Sequence, residues 1–266
     1  MSIAHQPRFT WPARDASAEE VLRWGVSEFG DRLAVTTSFQ ATGMVILDMA
    51  ACITGGDVQV FTLDTGRLHE QTYELIERVR RRYGIVVEMV TPDHRELSSM
   101  LRLHGPMLFK DGVSKRKLCC EIRKVRPLER KLASLDAWVT GLRRSQGGGR
   151  NEVETVSLDE EHGGIMKLAP LAHWTEKRVW DYIRRNDVPV HPLYSRGYPS
   201  IGCEPCTRAV KPGEPPRAGR WWWEGDADKE CGIHVSPSGE VRRDFDVLLE
   251  EVLPARPEPV DFESRA

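Results

Sequence analysis

Between residues 33 and 90 the chain switches regularly between the two hydrophobic rhythms of folded backbone. Leu33-Ala34-Val35-Thr36-Thr37 is a short β-prone run, and residues 44–52 form an apolar helical segment. Val58-Gln59-Val60-Phe61-Thr62 reads as a second strand. Residues 69–83 read as an amphipathic helix, with Tyr73, Ile76 and Val79 or Arg80 at helical spacing. Residues 85–90 complete the series as a third strand. Strands separated by helices of this length are joined by crossovers, so they run parallel and carry helices on both faces. Ligands of such sheets sit outside the carboxyl ends of the strands. Two loops fall there: Ser38-Phe39-Gln40-Ala41-Thr42-Gly43 and Leu63-Asp64-Thr65-Gly66-Arg67.

The remaining chain extends this plan. Ser17 before Glu19 and Glu20 has the form of a capped helix start. Residues 95–103 and 121–135 are expected helices, the second interrupted near its start by Pro127. Residues 137–141 and 165–168 are expected strands, and Thr175 caps a helix over 175–185. From Val210 onward Pro and Gly are frequent and the periodicity fades, so the tail is expected to be irregular. The chain thus divides into an α/β domain over 1–209 and a C-terminal tail over 210–266.

A length of 266 residues with 40% hydrophobic and 29% charged side chains suits a globular protein with a sizeable core. A net charge of −2 gives no overall pull toward nucleic acid or membrane. No apolar run reaches the roughly 20 residues of a membrane span; the best, residues 44–53, is broken by Asp48. The N-terminus has no signal-peptide core, so a cytoplasmic protein is expected.

Six cysteines are too few for a disulfide scaffold at this length. Cys203 and Cys206 form a Cys-x-x-Cys pair, and Cys119 and Cys120 are adjacent. Soft thiolates of this kind suit zinc or an iron–sulfur cluster. A tetrahedral zinc ion needs its ligand pairs spaced by two to four residues. Adjacent thiols converge poorly on one small ion, whereas a cuboidal cluster offers separate iron corners. The spacing therefore favours [4Fe–4S] over zinc and over four unrelated buried thiols. Cys231 lies in Lys229-Glu230-Cys231-Gly232-Ile233-His234, where a neighbouring cation raises the thiolate fraction; it reads as a nucleophile or as a plain exposed thiol. Cys52, inside an apolar helix, reads as a core residue.

Basic residues gather at 115–117, at Arg123-Lys124, at Arg143-Arg144 with Arg150, and at Arg217 with Arg220. The first group reads as a solvated face. Arg143, Arg144 and Arg150 flank a glycine-rich turn at a strand end and suit an anion pocket. Trp221-Trp222-Trp223 suits packing of the tail better than base stacking. Asp64-Thr65-Gly66 occurs once, which discards an aspartic-protease pair, and no Gly-Lys-Ser/Thr closes residues 38–43 as a Walker A loop.

In order along the chain, these segments resemble the assimilatory sulfonucleotide reductases, specifically the cluster-containing adenylylsulfate (APS) reductases. The motifs are Leu63 to Arg67, Cys119-Cys120-Glu121-Ile122-Arg123-Lys124, Trp138-Val139-Thr140-Gly141-Leu142-Arg143-Arg144, Ile201 to Arg208, Gly219 to Trp223 and Glu230 to His234. The resemblance runs over about residues 30–235. It implies an adenine-nucleotide α-hydrolase-like three-layer fold with a mainly parallel sheet and an irregular catalytic tail. It implies reduction of APS to sulfite and AMP in sulfate assimilation, with a [4Fe–4S] cluster on Cys119, Cys120, Cys203 and Cys206. Cys231 would attack the sulfate sulfur, and thioredoxin would reduce the resulting thiosulfonate. Lys124, Arg150, Arg217 and Arg220 match residues that contact the phosphosulfate. Ser38, Phe39, Gln40, Leu63, Asp64, Thr65, Gly66 and Gly141 would frame the nucleotide, and His234 would assist by hydrogen bonding or simply pack. Related ATP-using enzymes carry Ser-Gly-Gly-x-Asp-Ser where this chain has Ser-Phe-Gln-Ala-Thr-Gly, which argues against a triphosphate substrate. Glu121 replaces a glycine that several members carry. Plant-type members add a thioredoxin-like domain, for which 266 residues leave no room, so a separate thioredoxin is expected. A homo-oligomer is compatible with the sequence. The competing readings are a phosphoadenylylsulfate (PAPS) or dual-specificity reductase and a zinc-stabilised nucleotide-binding or tRNA-modifying module.

Overall fold

The computed structural model describes residues 11–13, 15–146, 150–225 and 239–253. In chain order the helices are α1 (Ala18–Phe29), α2 (Ala41–Thr54), α3 (Glu70–Tyr83), α4 (His94–His104), α5 (Val113–Cys120), α6 (Arg126–Leu132), α7 (Glu176–Arg185) and α8 (Gly239–Val252). The strands are β1 (Leu33–Thr36), β2 (Gln59–Leu63), β3 (Val87–Val90), β4 (Ala137–Val139), β5 (Val156–Asp159) and β6 (Ile165–Leu168). The chain divides into two compact units. One runs through Thr91 and resumes over Pro127–Trp222; the other holds Pro92–Arg126 and the chain from Trp223 onward.

The first unit contains the sheet, ordered β3-β2-β1-β4-β6-β5. All neighbours are parallel except β5, which pairs antiparallel with β6. Val35 is the register partner of both Val60 and Val139. These three join a core with Leu22 of α1, Ile46 of α2, Val79 of α3 and Val179 of α7. The alternate face carries Phe61 and Trp138, and Lys131 of α6 reaches to 5.8 Å from the Phe61 ring. Both faces are therefore covered, as an apolar parallel sheet requires.

Local chemistry sets the helix ends. Ser17 and Glu20 form a reciprocal capping box at α1, with bonds of 2.7 and 3.2 Å. Helices α2 and α3 both end on a left-handed glycine, Gly55 and Gly84. Helix α2 is apolar almost all round because its neighbours cover it; its one buried carboxylate, Asp48, accepts from the hydroxyls of Tyr83 and Tyr182, each at 2.8 Å.

In the second unit, Asp93 caps α4 by accepting from the amides of Arg95 and Glu96. Arg126 meets Glu96 through two bonds of 2.7 and 3.0 Å, and Arg116 of α5 forms a buried pair with Glu224 at 2.7 Å.

Several local expectations change: Cys52, expected in the core, is exposed, and Arg116 and Lys117, expected on a solvated face, are buried, Arg116 against Glu224. The helix expected over 121–135 begins as a π turn, Glu121–Val125, before α6. Pro127 offers no N–H to the preceding turn, and the amide of Arg126 bonds back five residues to Glu121. Strand β5 was not expected: it is an edge strand with Leu158 exposed, so its alternation is weak. The irregular tail holds over 211–225, but α8 follows, with Phe245 and Val252 buried.

Candidate active site

Strand order reverses around β1: the chain steps outward through β2 and β3, then returns to β4 on the other side. The crevice at the carboxyl ends of β1 and β4 is therefore the binding position this topology creates. Three loops open there, 37–41 after β1, 64–67 after β2 and 140–144 after β4.

The first loop is held in an unusual shape. Phe39 is fully buried with a positive φ of 58°, and its amide donates to Thr37 Oγ1 at 3.0 Å. The amide of Ala41, at the start of α2, donates to the Tyr194 hydroxyl at 2.8 Å. Ser38 is exposed, and Gln40 Nε2 donates to Ser38 Oγ at 3.2 Å. Gly141 sits so close to α2 that a Cβ there would stand 3.0 Å from Thr42 Oγ1 and 3.2 Å from the Gly43 nitrogen. Glycine is thus what lets the β4 loop approach the helix start.

In the second loop Asp64 Oδ1 accepts from the Gly66 amide at 2.8 Å and from the Tyr73 hydroxyl at 2.9 Å. Burial, then the bond to Asp64, pushes the Tyr73 hydroxyl up to about 12. Leu63 is half-buried at the end of β2, and Gly66 has a φ of 66°. Thr65 is fully buried; its Oγ1 accepts from the Arg67 amide at 3.2 Å and lies 3.3 Å from Cys203 Sγ. Either the hydroxyl or the thiol can donate in that contact.

The Cys-x-x-Cys pair forms a tight turn. The Cys206 amide donates to the Cys203 carbonyl at 3.0 Å, and Thr207 Oγ1 donates to the same carbonyl at 2.9 Å. Both strand-end loops are tied to this segment. The Ile201 amide donates to Gln40 Oε1 at 3.0 Å, and the Glu204 amide donates to the Arg67 carbonyl at 2.8 Å. Beyond the turn, Thr207 bridges Arg220, and the Trp221 amide donates to the Cys206 carbonyl at 3.1 Å. Arg220, buried at 6% exposure, is thereby brought to the thiol turn, while Arg217 is half-buried.

The other basic residues differ in use. Arg143 is buried, donating through Nη1 to Ser145 Oγ and the Trp174 carbonyl at 2.7 and 3.1 Å; burial lowers its pKa. Arg144 braces its own loop through the Val153 carbonyl at 2.7 Å and Glu154 at 3.2 Å. Arg150 is buried as well. In the second unit Cys119 and Cys120 end α5, and Lys124 is half-buried in the π turn that follows. Cys231 and His234 lie outside the described residues.

The four cysteines of the two pairs form no disulfide among the described residues and are exposed by only 7–8%. Each unit carries one pair, and no three candidate metal ligands are gathered among the described residues. As a donor set, four buried thiols outside any disulfide, one of them beside a hydroxyl, fit an iron–sulfur cluster.

Several contributors carry no local sequence signal. Tyr194 reaches the α2 start from 153 positions away. His69 and His191 face each other at 6.5 Å, and burial lowers both, His191 to about 4.

Comparison with known proteins points one way. The profile of the phosphoadenosine phosphosulfate reductase domain matches residues 32–209. The adenosine 5′-phosphosulfate reductase of Burkholderia cepacia is 48% identical over 211 residues, 79% of this chain and 84% of that one. The same-named protein of Allochromatium vinosum is 44% identical over 85% of this chain and 87% of its own. Among solved structures, the phosphoadenylyl-sulfate reductase of Candida auris, a phosphate complex, superposes with a TM-score of 0.62 at 33% identity, over 74% of this chain and 91% of that one.

Proposed function

The chain belongs to the phosphoadenosine phosphosulfate reductase family, and on that premise we propose that it reduces adenylyl sulfate to sulfite and AMP in sulfate assimilation. The observation that carries this reading is the joining of two loops at the strand ends, 37–41 and 64–67, to the one turn that bears Cys203, Cys206 and, beside it, Arg220. A nucleotide held at the strand ends and an anion held by Arg220 then belong to one substrate. The APS-named relatives are 44–48% identical and the PAPS-named structure 33%, which favours APS.

The chemistry needs a nucleophile and cations. The Cys231 thiolate attacks the sulfate sulfur, forming an S–S bond as the S–O bond to the phosphate breaks and AMP leaves with its electron pair. Two anions approach each other in that step, so cations are required; Lys124, Arg150, Arg217 and Arg220 supply them, with Ser38, Phe39, Gln40, Leu63, Asp64, Thr65, Gly66 and Gly141 framing the nucleotide. A thioredoxin thiolate then attacks Cys231 Sγ, sulfite leaves with the S–S bonding pair, and the second thioredoxin thiol closes a disulfide that releases Cys231. Cys119, Cys120, Cys203 and Cys206 would hold a [4Fe–4S] cluster, whose chemistry would be to tune the electrostatics of the sulfate site. Among the described residues no helix is long and apolar enough to cross a membrane; a cytoplasmic place for the reaction is part of the proposal.

Turnover of APS against PAPS with thioredoxin as donor is the test. APS is expected to be the faster substrate, with Cys231→Ser binding APS but forming no labelled enzyme–sulfite adduct. Normal turnover by Cys231→Ser, or a preference for PAPS, overturns the reading. Anaerobically purified protein is expected to be brown, and a colourless, zinc-containing protein would remove the cluster.

A further inference from the structure

Gly202, immediately before Cys203, has no φ that demands glycine. The reason for glycine here is spatial. A Cβ built on Gly202 would meet the Arg220 head: it collides with Cζ and Nη2 and stands 2.8 Å from Nη1. The guanidinium therefore occupies the volume where any other residue would put its side chain. Its Cζ also lies 4.6 Å from the centroid of the Trp221 ring. Trp221 is fully buried at a φ of 42°, a region that costs a non-glycine residue about 1–3 kcal/mol. Its amide is fixed to the Cys206 carbonyl at 3.1 Å. The Gly202 amide is fixed too, donating to Thr207 Oγ1 at 3.2 Å.

We propose that Gly202 is a positioning residue for the reaction: its bare backbone seats the Arg220 guanidinium beside the thiol turn, with Trp221 as the other wall. The proposal rests on the reading of Arg220 as a contact to the phosphosulfate. A guanidinium held this way keeps its planar fork oriented before substrate arrives, which is where arginine outperforms a flexible ammonium. Arg220 Nε has no hydrogen-bond partner among the described residues, and the head is packed against the Gly202 backbone and the Trp221 ring. The atoms a methyl at 202 would meet are the far end of a long side chain. The chain can yield there at little cost to folding, and what it yields is the position of the cation.

The test is a double-mutant cycle on the holoenzyme with Gly202→Ala, Arg220→Ala and the pair, read as KM for APS, AMP affinity, visible absorption and thermal midpoint. Arg220→Ala is expected to raise KM for APS by tenfold or more. Gly202→Ala is expected to raise it about tenfold while changing AMP affinity less than threefold and leaving absorption and midpoint near wild type. The pair is expected to be no worse than Arg220→Ala alone. Unchanged KM in Gly202→Ala, or full additivity in the pair, overturns the proposal. If Gly202→Ala does not fold, the pair must fold, because the group its methyl meets is gone; a pair that also fails to fold overturns the proposal. Failure of the underlying reading looks different: Arg220→Ala then leaves KM unchanged, or the wild-type chain does not turn over APS.

Discussion

The conformation of the loop after β1 can be tested through Gly43, which lies in the first turn of α2. A methyl added there would collide with Thr37 Oγ1 and lie 3.3 Å from Thr37 Cβ and 3.6 Å from its Cα. Replacing glycine by alanine within a helix gains roughly 1 kcal/mol. Forcing a methyl into a filled space costs about 1–3 kcal/mol. The net expectation for Gly43→Ala is a loss of about 1 kcal/mol, or roughly 2–4 °C in thermal midpoint for a protein of this size. The effect on binding follows from what moves. Thr37 Oγ1 is the acceptor for the Phe39 amide at 3.0 Å, and Phe39 holds a positive φ.

Loss of that side-chain anchor of the Phe39 amide removes about 1 kcal/mol, which would lower the population of the binding-ready loop about fivefold. KM for APS is then expected to rise about fivefold with kcat little changed, as happens when ground and transition states lose binding alike. Steady-state kinetics with thermal melts measures both. Thr37→Ala added to Gly43→Ala is expected to recover the midpoint, since the oxygen in the way is gone, while KM stays high. A Gly43→Ala protein that gains the full helix propensity in stability and keeps its KM would refute this account of the loop.

Two further outcomes bear on the framework that carries the loops. Tyr182→Phe removes one of two hydroxyls from the buried Asp48 carboxylate and is expected to cost about 2 kcal/mol in urea unfolding, the scale of a hydrogen bond to a charged group; an unmoved midpoint would mean the carboxylate is satisfied without it. Burial alone would raise the pKa of Asp159, but His162, Lys167 and Trp138 Nε1 together hold it below the ordinary value. Its contribution to stability is therefore complete above about pH 4, the unfolded-state value, and is lost as pH falls through the lower folded one. Asp159→Asn is expected to flatten that part of the acid unfolding curve, and an unchanged curve would remove Asp159 as its source.

How far the sequence speaks for itself depends on the range of the interaction. The switch of apolar period between residues 33 and 90 reveals the parallel core because crossover helices and buried strands need those periods. The cysteine pairs are visible because thiols are rare and their spacing is local. Helix α8 escapes notice because its buried residues, Phe245 and Val252, are few and stand among Arg242, Asp244 and Asp246 after a Pro- and Gly-rich run. Strand β5 escapes because an edge strand with one exposed face needs little hydrophobicity. The bond between Thr65 and Cys203 spans 138 positions, and no local pattern encodes it.

The same long-range contacts tie the thiol turn to the residues proposed to bind substrate. Gln40 and Arg67 each accept one hydrogen bond from the segment 201–204 through loops that leave different strands. Thr207 bridges Arg220 from the far side of that segment. A displacement of the turn therefore cannot be local: it moves the acceptor of a β1 loop bond, the partner of a β2 loop bond and the seat of a buried cation at once. Filled cores and paired backbone groups resist such shifts in common. Burying Cys203 and Cys206 thus does more than shelter two reactive sulfurs. It sets the distance between the strand ends, where the proposed nucleotide would sit, and the guanidinium that would receive its anion.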